Sequence, residues 1–236
     1  MIMHKRKTKF SVFVLLFFVY SVSNVFALGI NFIERASFNE DKSGIFSIKV
    51  DLTQTGRLVS IIKYLNKDYG DIAKFIDHDH LCVIKERFKK IPDINEVRVK
   101  YNKEMLTFTI KFKFKNIQAL NKAMRKINKG IDPPKITYFS LSDELFVRED
   151  INGIAKKLIL YQKNDNCLVK SLDLASFFKG TTYTTVYTFH KKIERFSHPL
   201  GELTTNKKTI QIKHHIFADN ETEESIGNRI HFEKIT

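Results

Sequence analysis

The residues best suited to chemistry are the string Asp77-His78-Asp79-His80, with Cys82 two positions further on. Imidazole and carboxylate groups ligate zinc, and an exported protein can carry that metal. The order does not match two histidines at i and i+4 around a glutamate, and one short segment supplies few fixed ligands. The competing reading is a helix start, in which Asp77 or Asp79 caps a helix beginning near Leu81 and favours its positive end. The helix start is preferred, with Asp77, His78 and His80 kept as metal candidates, and no cofactor is expected. His214 and His215 are adjacent on a predicted strand, so they project to opposite faces and cannot easily share a metal. His190, His198 and His231 have no partner legible in the sequence. There is no G-x-S-x-G, no glycine-rich phosphate loop and no cysteine with local catalytic support. The chain is therefore expected not to be an enzyme.

Charge is the stronger signal. The chain has 40 Lys and Arg against 26 Asp and Glu. Residues 98–135 hold 11 of those bases and only two acids, Glu104 and Asp132. Within this segment Leu106, Phe108, Ile110, Phe112 and Phe114 alternate with Thr107, Thr109, Lys111, Lys113 and Lys115. Period two predicts one strand, apolar on one face and basic on the other. Val97, Val99 and Tyr101 form its partner, with the turn at Asn102-Lys103. Asn116 is placed to cap a following helix with Ile117, Leu120, Met124 and Ile127 on one face. Lys122, Arg125 and Lys129 share another face, and Gly130 ends the helix. Lys111, Lys113, Lys115, Lys122, Arg125 and Lys129 are the expected contacts for an anionic partner. The alternative is a solvated lysine face that keeps a phenylalanine-rich sheet soluble and blunts an edge strand.

Other elements must hold that segment in place. Residues 30–38 and 45–52 read as two strands around a turn at 39–44, where Gly44 supplies a left-handed backbone. A helix follows, with Leu58, Ile61, Ile62 and Leu65 as its apolar stripe, and a second runs from about 81 to 90. The Pro133-Pro134 pair breaks the chain. Beyond it, strands are expected at 136–141, 144–148, 183–189, 191–196, 208–216 and 229–232, with a short helix at 172–178. The fold class is α+β: antiparallel hairpins with amphipathic helices packed on the sheet. One domain over 28–236 is expected, with subdivision near 133–150 as the alternative. The 21 phenylalanines fill a core or line an apolar pocket for a lipid tail, and periodicity does not separate the two.

The compartment comes from the N-terminus. Lys5, Arg6, Lys7 and Lys9 precede a 13-residue apolar run, residues 10–22, and Val25-Phe26-Ala27 closes with a small residue. This is the pattern of a secretory signal peptide, residues 1–27, and the run is shorter than the roughly 20 residues of a membrane-spanning helix. An uncleaved N-terminal anchor is the alternative, and both place the body outside the cytoplasm. Nucleic acid is excluded by that compartment. Cys82 and Cys167 are the two cysteines; in an exported chain they are either a disulfide or two thiols in small-hydrophobe roles.

Three stretches carry a likeness when taken together: SGIFSIKVDL at 43–52, FKFKNIQALN at 112–121, and YTTVYTF at 183–189 with residues 191–197. The chain resembles a family of exported proteins from Bacteroidetes-type bacteria and, more distantly, is similar to the LppM-like envelope lipoprotein domain. The resemblance implies an α+β envelope protein and, in the LppM-like case, a small apolar cavity with affinity for lipid-linked glycans. The chain departs from the lipoprotein pattern in lacking an acylated cysteine near Ala27 and a C-terminal membrane helix. The motifs are structural, so no binding residues carry over. The expectation is a non-enzymatic protein of the periplasm or outer envelope that binds a lipid or other amphipathic component. Its partner would be an anionic lipid or glycolipid with peripheral membrane contact, or else an acidic envelope protein docked on a basic face.

Overall fold

The structure, a computed structural model, describes residues 29–54, 78–102, 104–128, 136–152, 179–217 and 225–234. The signal peptide, the helices expected after residue 55 and at 172–178, and Asp77, Lys129, Gly130 and Cys167 lie outside the described residues. Period two governs the first hairpin. Phe32, Glu34, Ala36 and Phe38 of β1 (Asn31–Phe38) are buried, as are Phe46 and Ile48 of β2 (Gly44–Asp51). The turn between them departs from expectation. Lys42 takes the left-handed conformation, with φ 64°. Gly44 is small for a different reason: a Cβ there would collide with the Ser37 carbonyl oxygen and lie 2.6 Å from the Phe114 ring.

Helix α1 (His78–Lys89) begins before Leu81, so Asp79 stands in helical backbone and is not its cap. Phe88 is its buried anchor, with its ring 5.5 Å from that of Phe112. Strands β3 (Ile94–Asn102) and β4 (Thr107–Phe114) form the second hairpin. Its turn is longer than the two residues expected, because pairing stops at Asn102 and Thr107 and Leu106 turns back with φ 47°. Helix α2 (Ile117–Ile127) starts as its sequence dictates: the Asn116 side chain accepts from the Ala119 N–H at 2.8 Å. It ends at Asn128, whose N–H donates to the Met124 carbonyl, and so stops short of Gly130. Asn121, buried on α2, accepts from the N–H groups of Tyr138 and Phe139 at 2.9 Å each and donates to the Phe139 carbonyl at 2.8 Å. This clamps α2 to the start of β5 (Phe139–Leu141).

The remaining strands are β6 (Leu145–Arg148), β7 (Thr182–Phe189), β8 (Ile193–Phe196), β9 (Gly201–Leu203), β10 (Thr209–His215) and β11 (Asn228–Phe232). They complete two sheets, one of order β3-β4-β2-β1-β7-β10-β9 and one of order β5-β6-β11-β8. The expected hairpins β1–β2 and β3–β4 are antiparallel, and strands from both sides of Pro133-Pro134 share the larger sheet through a parallel β1–β7 pair, which makes that sheet mixed. The described residues are thus α+β and mostly sheet. Phe38, Phe46, Phe112, Phe114 and Phe189 project from the larger sheet toward Phe139, Phe146 and Phe232 of the smaller one. Their rings meet at centroid distances such as 5.1 Å for Phe38–Phe146 and 4.9 Å for Phe189–Phe232. These phenylalanines pack on one another across the gap between the sheets, with α2 joining the same core through Leu120 and Met124.

Candidate functional site

The outer face of the larger sheet is built from the residues that alternate with that core. Lys111 and Lys113 of β4 are exposed between buried Ile110, Phe112 and Phe114. Register places neighbours beside them. One row across the sheet reads Arg98, Lys111, Ser47, Arg35, Val186, Gln211 and Glu202. The next reads Lys100, Thr109, Lys49, Ile33, Thr184 and Lys213. With strands about 4.8 Å apart, the face spans roughly 24 Å from β3 to β10. It carries Arg35, Lys49, Arg98, Lys100, Lys111, Lys113 and Lys213 among short serine, threonine and valine side chains.

The acids of this face are already engaged or peripheral. Glu96, held at φ 49° by a bulge in the edge strand β3, bonds Lys113 and lies 3.8 Å from Arg98. The hydrogen bond from Lys113 holds the Glu96 carboxyl below its ordinary range. Asp51 binds Lys49 at 2.9 Å. Burial pushes its carboxyl up, but bonds from Thr53 and Lys49 outweigh that and leave it lowered. Arg35, Lys100, Lys111 and Lys213 make no ion pair among the described residues. Arg98 and Lys111 sit directly opposite each other, an arrangement that repels and is destabilising in itself.

The expected contact residues are divided by this architecture. Lys111 and Lys113 lie on the outer face, and exposed Lys115 follows the end of β4. Helix α2 packs on the opposite side of the sheet, so exposed Lys122 is across the core from Lys111. The Arg125 guanidinium is turned inward and donates to the Ile136 carbonyl at 2.9 Å. Arg35, Lys49 and Lys213 were not singled out from the sequence. Their alternation was readable, but their convergence depends on a register that joins residues more than 100 positions apart.

Beneath this face the inner side holds a buried ion pair. Glu34 of β1 and Arg148 of β6 are 0% and 2% exposed. Arg148 Nε and Nη2 donate to the two Glu34 oxygens, each at 3.3 Å. Tyr183 and Tyr187, flanking on β7, donate to the same oxygens at 2.7 and 2.6 Å. The guanidinium also donates to the Glu149 carbonyl and lies 4.8 Å from the centre of the Phe139 ring. Burial opposes the arginine's charge, but the Glu34 carboxylate outweighs it and raises the Arg148 pKa. Burial, then the Glu34 charge, pushes both tyrosine hydroxyls well up. The arginine and both tyrosines hold their protons more tightly than usual, and the cluster ties β1 and β7 of the larger sheet to β6 of the smaller one.

Next to it, His214 is fully buried with its ring stacked 5.5 Å from that of Tyr183. Neither ring nitrogen has a hydrogen-bond partner among the described residues. Burial pushes its pKa down to about 4, so the ring is neutral at ordinary pH. His215 is exposed on the other face, as alternation requires. His198 is also buried, accepting from the Leu200 N–H through Nδ1 and meeting the Ser225 carbonyl at Nε2.

Of the other candidates, His78 and His80 lie in the first turn of α1, and Cys82 is exposed on the same helix. The disulfide with Cys167 falls outside the described residues. Among the described residues no three His, Cys, Asp or Glu side chains gather as a metal would need, and no helix is long and apolar enough to cross a membrane.

No family model matches the chain, and no curated protein sequence matches it. Among solved structures it is similar to the folded domain of the Mycobacterium tuberculosis LppM protein, at 8% identity and a TM-score of 0.41. That match covers 88% of this chain and 91% of that one. The likeness is a distant one of structure. The resemblance to Bacteroidetes-type exported proteins rests on its three stretches alone.

Proposed function

We propose that this chain is a non-enzymatic, exported cell-envelope protein that binds anionic lipid or glycolipid headgroups through the outer face of its larger sheet. The observation that carries the reading is the pairing of Arg98 directly against Lys111, in a face where four bases lack a partner. A lysine face kept only for solubility gains nothing from setting two cations against each other. An anion bridging them does, because each base near an anionic membrane surface contributes about 1 kcal/mol, screened by salt. The packed phenylalanine rings favour a surface site over enclosure of an acyl tail.

Co-sedimentation with vesicles tests this. Binding is expected to vesicles of phosphatidylglycerol in phosphatidylcholine, to be absent with phosphatidylcholine alone, and to disappear by about 0.5 M salt. Equal binding to both vesicle types, or binding to neither, overturns the proposal. In the latter case an acidic envelope protein becomes the occupant to seek on the same face.

A further inference from the structure

One end of the larger sheet is marked by a row of paired residues: Asn102, Thr107, Asp51, Asn31, Thr182 and His215. The β3–β4 turn projects beyond that row and carries Met105, whose side chain is, among the described residues, the most exposed of the large hydrophobics at 55%. A single exposed apolar residue is ordinary on a mobile loop. This one is held out by the backbone. The Met105 N–H donates to Asn102 Oδ1 at 2.9 Å, and its carbonyl accepts from Thr53 Oγ1 at 2.8 Å. The Leu106 carbonyl accepts from the Leu52 N–H at 3.1 Å. Leu106 itself is left-handed at φ 47°, a conformation a bulky side chain adopts only where its surroundings impose it. The turn is thus tied on both sides in a strained form that presents Met105 to solvent.

Two further features point to a bilayer as what meets it. Exposed Lys100 and Lys213 belong to the register row next to this end, so unpaired bases stand behind the apolar tip. The chain also enters the fold here, at Gly29 before β1, with six residues between it and the apolar run at 10–22. Under the uncleaved-anchor alternative for that run, this end of the sheet is the one tethered to the membrane. Methionine is unbranched and polarizable, and it packs readily among irregular apolar neighbours.

We propose that the β3–β4 turn is the leading point of membrane contact, with Met105 entering the acyl boundary while the bases of the outer face engage headgroups. The inference rests on the anionic-surface reading above and adds an orientation to it: the outer face meets the bilayer tilted, with this end leading.

The chain has no tryptophan, so Met105→Trp gives a single fluorescent reporter at the tip. On addition of phosphatidylglycerol-containing vesicles its emission is expected to shift to the blue and to be quenched by brominated acyl chains. Met105→Ser is expected to weaken co-sedimentation about tenfold without changing thermal stability. Vesicle binding with unshifted, unquenched emission and an unaffected Met105→Ser variant overturns the tip proposal and leaves the basic face standing. Failure of the unaltered protein to sediment with these vesicles overturns both.

Discussion

On the inner side of the larger sheet one carboxylate, Glu34, receives four hydrogen bonds, two of them from the single arginine that neutralises it. On the outer side seven bases face three acids, two of which are already bound to a base. The same strands carry both arrangements: Glu34 and Arg35 are consecutive residues of β1. Charge that is enclosed must be matched within the molecule, because an uncompensated buried ion costs several kcal/mol. Charge left on a solvated face need not be matched, so an excess there is free to serve a partner. The enclosed pair is thus structural, and the solvated excess is the face proposed to bind.

The inner cluster offers the largest expected effect. Arg148→Met leaves Glu34 buried without its cation and is expected to lower stability by about 3–5 kcal/mol in urea unfolding. The double variant Glu34→Gln, Arg148→Met is expected to recover part of that loss. A loss below about 1 kcal/mol for the single variant would mean that Glu34 is not enclosed as described.

A smaller effect belongs to His214. Asp150 and Glu34 draw its pKa up, His198 and His215 push it down, and burial dominates to hold it at about 4. The unfolded chain takes up a proton near pH 6.5, and the folded one does so only near 4. Stability from this group is therefore complete above about pH 6.5 and declines as pH falls toward 4, by about 3 kcal/mol in all. Unfolding free energies measured from pH 7 to 4 should show that slope, and His214→Phe should flatten it. An unchanged slope in the variant would assign the acid sensitivity to other groups.

Much of this was legible in the sequence, and what was not has a physical cause. Alternation in residues 106–115 gave the strand and its basic face, and Asn116 gave the cap, because both depend on neighbours a few positions away. The phase of β1 also contained a clue. Glu34 falls on the same face as Phe32, Ala36 and Phe38, and Arg148 falls with Phe146, so each reads as a charge on an apolar face that needs a partner. That they partner each other, 114 positions apart, is set by how the two sheets pack. Likewise Lys122 and Arg125 shared a charged segment with Lys111, but α2 turns back across the core and removes them from that face. Sequence proximity grouped residues that the fold separates, and register grouped Arg35, Lys49 and Lys213 with bases far from them in the chain.

The central claim is that the outer-face excess binds anionic surfaces and is not needed for folding. The most direct test is the paired charge reversal Arg98→Glu, Lys111→Glu, read out both as vesicle affinity and as unfolding free energy. The account predicts a stability change within about 1 kcal/mol, since exposed charges contribute little to folding. It also predicts a fall of roughly a hundredfold or more in affinity for phosphatidylglycerol vesicles, at about 1 kcal/mol per base lost near the surface and more on reversal. A folded variant that binds those vesicles as well as the parent would contradict it.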